Sequence, residues 1–281
     1  GCISGQVASA EDRAYGREPI EPVYRRIAED LKAGRPMVVT VNVVLCDNRH
    51  VSCGKGGLGE GDAPARNLYW GARYGLATMF RDAESGWEQV QVESSERAND
   101  PVAEVRTYEK RFAVTESWRA MGVDRPIRVV LIARAYRGSA HRTALRDYFA
   151  RLTDDKTRVR EGVASHVVGF MGHNYLMNPA NLLSASHMAG ASPHPRGTFV
   201  LACESEPYFG SLLDKEGITR LVMTHEFMAP EAYILLALLE GLGMGEAAPA
   251  VRERVVASYA SYQRWNYDDP LTSARAIFLP R

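Results

Sequence analysis

The chain has 281 residues, of which 46% are hydrophobic and 24% charged, and its 34 basic residues equal its 34 acidic residues in number. This composition is typical of globular proteins, and the neutral balance argues against a nucleic-acid partner or a membrane-surface protein. No apolar run approaches the roughly 18 residues that a membrane-spanning helix needs, so we expect no transmembrane segment.

The N-terminal sequence GCISGQVASA resembles the end of a bacterial lipoprotein signal, with Cys2 as the lipidated residue. This resemblance implies a lipid anchor at Cys2 and a place in the bacterial cell envelope, facing the periplasm. The alternative is an ordinary cysteine in a cytoplasmic protein. We expect residues 1–19 to form a flexible segment and residues 20–281 to form a single α/β domain.

Helical and strand patterns alternate along most of residues 20–281. Apolar residues recur at helical spacing over residues 20–31, 68–79, 145–152, 232–239 and 251–262, with Ser139 as an N-cap before the third of these helices. Apolar runs predict buried strands at residues 37–46, 127–136, 165–174, 197–203 and 219–225. Residues 83–125 are interpreted as an insertion with a weak strand, EQVQVES, and a helix at about 108–118. Strands joined by helical crossovers predict an α/β fold with a mostly parallel sheet flanked by helices.

Candidate site residues follow the predicted strands, because ligands of open α/β sheets bind at the carboxyl ends of the strands. His173 ends the third of these strands and Cys203 ends the fourth. If the two strands are neighbours, an imidazole and a thiol share one sheet edge and can act together in nucleophilic catalysis. The alternative is that both residues only pack, as a cysteine at the end of a core strand often does.

Two strands that end in His173 and in Ala202-Cys203 resemble the caspase, legumain and gingipain superfamily of cysteine peptidases. The segments VVTVNVVLC with NLYWGARYGLATMF, and RVVLIARAYRGSAHRTALRDYFARL, are similar to its first and second strand–helix units. The resemblance covers roughly residues 37–82 and 127–240. It implies a caspase-like three-layer sandwich that needs no cofactor or metal and acts on a peptide or protein. His173 would be the general acid/base and Cys203 the nucleophile.

The resemblance also implies an oxyanion site formed by the backbone N–H groups near Asn174 and of Cys203. The superfamily usually has a glycine after the histidine, whereas here Asn174 places a side chain beside that site. Arg66 would favour an acidic or amide substrate side chain, although a solvated arginine is the favoured interpretation. The residues expected to form the oxyanion site or the pocket are Gly172, Asn174, Arg66, Asn67, Asp47, Glu204, Thr224 and His225, and His225 is also a second candidate imidazole.

Two alternatives to a peptidase of this kind stay open. The first is a non-catalytic binding or scaffold protein of the same fold. The second is another thiol-dependent hydrolase on a flavodoxin-like sheet, for example an amidotransferase-type enzyme. Such an enzyme would have a sharp strand–turn–helix connection at Cys203, and the residues Glu204, Ser205 and Pro207 argue against that connection.

The loop after the first strand contains two weaker motifs. GKGGLG, at residues 54–59, fits a dinucleotide-binding pattern but does not open a helix, so a phosphate site is disfavoured. Cys46, His50 and Cys53 are close in sequence, but their spacing is unusual for zinc, and we expect no metal. A disulfide between Cys46 and Cys53 is an option for an exported protein, with unpaired buried cysteines as the default.

Overall fold

The computed structural model of the chain describes residues 15–154, 156–178 and 190–281. The strands are β1 (Met37–Val44), β2 (Glu88–Ser94), β3 (Val102–Phe112), β4 (Ile127–Tyr136), β5 (Val167–Met171), β6 (Arg196–Leu201) and β7 (Ile218–Val222). The helices are α1 (Glu21–Lys32), α2 (Leu76–Met79), α3 (Glu116–Ala120), α4 (His141–Thr153), α5 (Ser205–Leu213), α6 (Ala232–Met244), α7 (Ala248–Tyr262) and α8 (Pro270–Phe278). Cys2 and its predicted lipid anchor lie outside the described residues. In the described ranges, no helix has both the length and the apolarity to cross a membrane.

The seven strands form one sheet in the order β2-β3-β4-β1-β5-β6-β7. The five neighbouring strands β4, β1, β5, β6 and β7 are parallel. The hairpin of β2 and β3 extends the β4 edge in antiparallel pairing. Helices α1, α6, α7 and α8 pack on one face, whereas α4 and α5 pack on the other. The predicted three-layer α/β fold with a mostly parallel sheet is therefore confirmed, while membership of the caspase superfamily stays a prediction.

The parallel strands place a topological switch between β1 and β5. Counted along the chain, their order is 2-1-3-4-5, which is also the order of flavodoxin-like sheets. The connection from β1 to β4 contributes α2 to one face of the sheet, and α4, between β4 and β5, covers the other face. The strand order reverses between β1 and β5, so the carboxyl ends of these two strands flank the expected ligand-binding crevice.

Strand β1 is buried at every residue because helices cover both faces of the sheet. Its valines alternate with the polar residues Thr40 and Asn42, whose side chains have partners inside the protein. The Thr40 hydroxyl lies 3.1 Å from the Ser165 hydroxyl, and Asn42 Nδ2 donates to the Ala144 carbonyl oxygen over 2.9 Å. These bonds allow a polar residue in a central strand, because a buried polar group without a partner is costly.

The helix predicted at residues 68–79 is wrong for most of its length. Only Leu76–Met79 is α-helical, and the residues before it form tight turns. A Cβ atom at Gly71 would lie 2.1 Å from the Ala65 carbonyl oxygen, and one at Gly75 would lie 2.4 Å from the Trp70 carbonyl oxygen. The two glycines thus permit close backbone approaches that a continuous helix would not make.

Residues 83–125 contain the predicted strand but not the predicted helix at about 108–118. EQVQVES is β2, whereas β3 continues to Phe112 and pairs with β4 from Val102↔Tyr136 to Phe112↔Ile127. Only the short helix α3 follows. Strand β3 lies between β2 and β4 and pairs with both, so long-range pairing and not local helical spacing decides the conformation here.

Ser139 does not cap a helix, so this prediction was wrong. It lies inside a 3-10 turn, Gly138–Ala140, and Ala140 precedes α4 without a side-chain cap. Helices α5 and α8 were not among the predicted elements. Both are short, with nine residues each, so their apolar periodicity is too brief to be distinctive.

We expect Gly169→Ala in β5 to lower the free energy of unfolding by about 1–3 kcal/mol, because the new methyl group overpacks the core. A Cβ atom at Gly169 would lie 2.0 Å from the Phe199 ring in β6. Urea denaturation measures the loss, and Phe199→Leu in the same chain should restore part of it. Gly190→Ala is the control, because nothing lies within 4 Å of its new Cβ atom. Equal effects of the two glycine substitutions would contradict the packing described.

Candidate active site

Strands β5 and β6 bring His173 and Cys203 to the same edge of the sheet. The two strands are parallel neighbours, and their last paired residues are Met171 and Leu201. His173 and Cys203 each follow two residues later. The prediction that the histidine strand and the cysteine strand are neighbours is therefore confirmed.

Gly172 bends the chain out of β5 just before His173. Its N–H donates to the Leu201 carbonyl oxygen over 3.1 Å, and its φ is +140°. A Cβ atom there would lie 3.0 Å from the Val44 carbonyl oxygen of β1. Both the positive φ and the close approach favour glycine, so Gly172 shapes the exit of the chain from the sheet.

Asn174 links the loop after β5 to the backbone of Cys203. The residue is fully buried, and its Nδ2 donates to the Cys203 carbonyl oxygen over 2.7 Å. Its Oδ1 accepts a hydrogen bond from the Leu176 N–H over 3.1 Å. A glycine could not make this link, so the asparagine has a structural role at the place where the superfamily has a glycine.

The backbone N–H groups expected to stabilise an oxyanion have no oxygen acceptor within the described residues, and the Cys203 N–H interacts only with its own sulfur there. No carbonyl or side-chain oxygen in those ranges accepts a hydrogen bond from the N–H of Asn174 or of Cys203. The Asn174 side chain is directed at the Cys203 carbonyl oxygen. Both N–H groups can thus donate to a negatively charged oxygen of a reaction intermediate.

Cys203 lies in a tight strand–turn–helix connection, which the sequence had argued against. Strand β6 ends at Leu201, α5 begins at Ser205, and Glu204 between them has φ +47° and ψ +41°. Glu204, and not Cys203, adopts the left-handed conformation. A left-handed residue other than glycine is strained, and the surrounding structure must hold it in place.

Thr224, in the loop after β7, holds this connection through hydrogen bonds. Its hydroxyl donates to the Ala202 carbonyl oxygen and accepts a hydrogen bond from the Ser205 N–H over 2.9 Å. The Ser205 hydroxyl in turn accepts from the Thr224 N–H over 2.8 Å. Thr224 and Ser205 are fully buried, so both stabilise the turn from inside and do not line an open pocket.

The Cys203 thiol is partly exposed and contacts the loop that contains Met228. Its Sγ lies 3.4 Å from the Met228 backbone nitrogen and 3.4 Å from the Met228 carbonyl oxygen. Burial raises the pKa of the thiol, the Met228 N–H lowers it, and the charge of Glu204 raises it again. The net shift is upward, so the side chain is mainly a neutral thiol at neutral pH.

His173 is partly exposed and also neutral at neutral pH. Burial lowers its pKa, and the nearby imidazoles of His50 and His141 lower it further, because a second positive charge beside them is unfavourable. A neutral imidazole can accept the thiol proton as sulfur attacks a carbonyl. The two residues therefore suit general-base activation and not a preformed ion pair.

Three rings pack around His173 at the topological switch, and we call the group of four the histidine–tyrosine cluster: His50, His141, His173 and Tyr175. The His141 and Tyr175 rings are stacked, with centroids 4.1 Å apart and planes 6° apart. The His173 ring meets Tyr175 edge to face at 4.9 Å. The His50 ring lies 5.1 Å from His141 and 5.6 Å from Tyr175. His141 was missed in the sequence, although it follows β4 as His173 follows β5.

Tyr69 is a second residue of the site that the sequence did not reveal. It is almost fully buried, and burial raises the pKa of its hydroxyl. The charges of Cys203, Tyr175 and Glu231 raise this pKa further, in that order. Tyr69 is therefore near both the thiol and Tyr175, and no local sequence signal marks it.

The loop after β1 is closed by a disulfide between Cys46 and Cys53. The expectation of unpaired cysteines was wrong here, and the bonded thiols are not zinc ligands. Over the ranges that the structure covers, no group of three or more His, Cys, Asp or Glu side chains could hold a metal ion. Asp47 is almost buried, and its Oδ1 accepts from Arg49 Nε over 2.9 Å.

Asn67 is fully buried and connects two loops instead of lining a pocket. Its Oδ1 accepts from the Cys46 N–H over 2.9 Å, and its Nδ2 donates to the Cys46 carbonyl oxygen over 2.8 Å. Arg66 is exposed and forms an ion pair with Glu60 at 2.9 Å, in agreement with a solvated arginine. Asn67 Oδ1 also accepts from the Tyr69 N–H over 3.2 Å, so Asn67 supports the backbone of a residue near the thiol from inside the loop.

His225 contacts the C-terminal helix and not the thiol. Its N–H donates to the Ile277 carbonyl oxygen over 2.8 Å, and its ring lies 5.7 Å from the buried ring of Tyr15. Burial lowers its pKa, as does the charge of Arg281. His173, which follows the strand paired with the Cys203 strand, therefore stays the predicted imidazole partner.

No protein-family model, no curated protein and no solved structure matches this chain. The relation to the caspase superfamily rests on the motifs around His173 and Cys203 and stays a prediction.

We expect Asn174→Ala to lower the free energy of unfolding by about 1–3 kcal/mol, because the Cys203 carbonyl oxygen and the Leu176 N–H lose a buried partner. Urea denaturation measures the change. Asn99→Ala is the matched control, because Asn99 is exposed in a loop. A loss no larger than that of the control would show that the link to Cys203 is not needed.

We expect iodoacetamide to alkylate Cys203 slowly at pH 7.5 and progressively faster above pH 9, since only the thiolate reacts and the pKa is raised. Mass spectrometry of the Cys203 peptide gives the rate. Glu204→Gln should speed alkylation by removing a charge that raises the pKa, whereas Glu226→Gln should not. A rate that already levels off below pH 8 would contradict the neutral thiol.

Proposed function

We propose that the chain is a cysteine hydrolase that cleaves a peptide or another amide, with Cys203 as the nucleophile and His173 as the general acid/base. The observation that carries the proposal is the link from Asn174 to the Cys203 carbonyl oxygen over 2.7 Å. It ties the residue after the histidine to the backbone of the cysteine. The adjacent strands β5 and β6 support the same pairing.

In the first half of the proposed reaction, His173 takes the thiol proton while Sγ attacks the substrate carbonyl carbon. The carbonyl oxygen becomes negatively charged and accepts hydrogen bonds from the N–H groups of Cys203 and Asn174. The bond from carbon to nitrogen then breaks, and the imidazolium gives its proton to the leaving amine. An acyl group remains on sulfur as a thioester.

In the second half, His173 takes a proton from water as the water oxygen attacks the thioester. The bond from carbon to sulfur breaks, the carboxylic acid leaves, and Cys203 regains its proton. The thiol must leave its contacts with Met228 before the first attack. Residues near Met228 therefore have to accommodate the substrate, and the exposed Phe227 is next to it in the chain.

A thiol hydrolase on a flavodoxin-like sheet is the second candidate, because two observations favour it. The parallel strands have the flavodoxin-like order, and Cys203 lies in a tight strand–turn–helix connection. This candidate uses the same thiol and imidazole on an amide, so it differs from the first in ancestry and substrate. A non-catalytic binding protein of this fold is the remaining alternative, and lipid attachment at Cys2 stays a prediction.

We expect a peptide chloromethyl ketone to modify Cys203 covalently, and a fluorogenic peptide library to be cleaved in a way that Cys203→Ala abolishes. His173→Ala should lower kcat/KM by about 100-fold or more, the usual contribution of a general base. His225→Ala is the matched control and should retain activity. The acid limb of the pH profile should lie below the usual histidine value of 6.5, because the pKa of His173 is lowered.

Two outcomes would overturn the proposal. One is hydrolysis that survives in Cys203→Ala. The other is the absence of both modification and cleavage in a folded protein, which would favour the binding protein. If His225→Ala lost activity while His173→Ala kept it, the general base would have to be reassigned.

A further inference from the structure

His173 has an unusual environment for a catalytic imidazole. In the described part of the chain, no carboxylate or carbonyl oxygen accepts a hydrogen bond from its ring nitrogens, and its ring contact is with Tyr175 at 4.9 Å. A general base normally has a third group that fixes the orientation of its ring. Here the described contact of the ring is an edge-to-face one with an aromatic side chain.

Tyr175 is itself held by the first residue of α4. Its ring stacks on His141 at 4.1 Å with the planes 6° apart, and both side chains are almost fully buried. His141 Nδ1 lies 3.3 Å from the Gly138 carbonyl oxygen, so the histidine is tied to the turn before α4. A continuous set of packed rings therefore runs from the end of β4 to His173.

We propose that Tyr175 and His141 are positioning residues that fix the orientation of the His173 ring toward Cys203. The inference rests on the proposed function and names two residues that would act through the general base and not on the substrate. Offset and edge-to-face contacts of aromatic rings favour a limited set of ring orientations, which gives them the directional effect needed here.

The charges around the cluster support the same role. Asp47 and Arg49 face Tyr175 from the loop after β1, where they pair with each other. His50, on the same loop, and His141, on α4, lower the pKa of His173. Both histidines thus favour the neutral ring that a general base requires, in addition to the packing through Tyr175.

Four variants distinguish a positioning role from general support of the fold: Tyr175→Leu, Tyr175→Phe, the control Tyr262→Leu, and His141→Phe. Tyr175→Leu removes the ring, whereas Tyr175→Phe keeps it. We expect Tyr175→Leu to lower kcat by about 10- to 100-fold with little change in KM, because small displacements of a catalytic group have effects of this size. Tyr175→Phe should restore most of kcat, and Tyr262→Leu, a partly exposed tyrosine on α7, is the control.

His141→Phe keeps a stacking ring but removes the imidazole. We expect kcat at high pH to be largely retained and the acid limb of the pH profile to move to higher pH, because one group that disfavours His173 protonation is lost. Proton NMR of the His173 ring should show the same upward shift without any substrate.

The NMR titration keeps this inference distinct from the proposed function. If the protein hydrolyses no substrate but the His173 titration and ring signals change in Tyr175→Leu and His141→Phe, the proposed function fails and the packing inference holds.

If the wild type is active, the inference is overturned by a Tyr175→Leu variant with wild-type kcat. It is also overturned by equal losses in Tyr175→Leu and Tyr175→Phe, or by a His173 titration unchanged in His141→Phe. If Tyr175→Leu does not fold, the His141→Phe titration decides.

Discussion

The hydrogen bond from Asn174 to the Cys203 carbonyl oxygen links the two strand ends that carry His173 and Cys203. The last paired residues of β5 and β6 are Met171 and Leu201, and the Gly172 N–H adds one more backbone bond to the Leu201 carbonyl oxygen before the chains leave the ladder. Beyond the ladder, the buried amide adds a side-chain link. Because the Asn174 amide is fully buried, breaking the bond would leave a buried polar group without its partner.

Electrostatics around this link favour the uncharged forms of the Cys203 thiol and the His173 imidazole. Burial disfavours the thiolate of Cys203 and the imidazolium of His173, and neighbouring groups of like charge act in the same direction. In many thiol enzymes a lowered thiol pKa gives a reactive anion before substrate binds. In the proposed reaction the proton would have to move during the attack, so the proposed reactivity depends on geometry in the substrate complex and less on the free protein. A site of this kind limits unwanted reactions of an exposed sulfur.

Much of the architecture can be predicted from the sequence, because the central strands are continuous apolar runs. The run at 127–136 coincides with β4, and the residues that follow β5 and β6 identified the histidine and the cysteine. The prediction failed where glycines or long-range pairing decide the conformation, as at Gly71 and in β3. Asn174 shows this most clearly. In the sequence it only replaces the glycine that usually follows the histidine in the caspase superfamily, whereas its hydrogen-bond partner, Cys203, is 29 residues away. Tyr69, His141 and Met228 come to the site from separate elements, and no local sequence pattern predicts such contacts.

The disulfide between Cys46 and Cys53 has a consequence for where the site is fully formed. It closes the loop that contains His50, and His50 packs on the two rings beside His173. Bonds of this kind persist in oxidising compartments and are reduced by cytosolic thiols. In a reducing environment the loop would gain conformational freedom, and the ring packing on the outer side of His173 would loosen with it. The complete arrangement of rings is thus matched to an oxidising milieu, independently of whether a lipid holds the protein at a membrane.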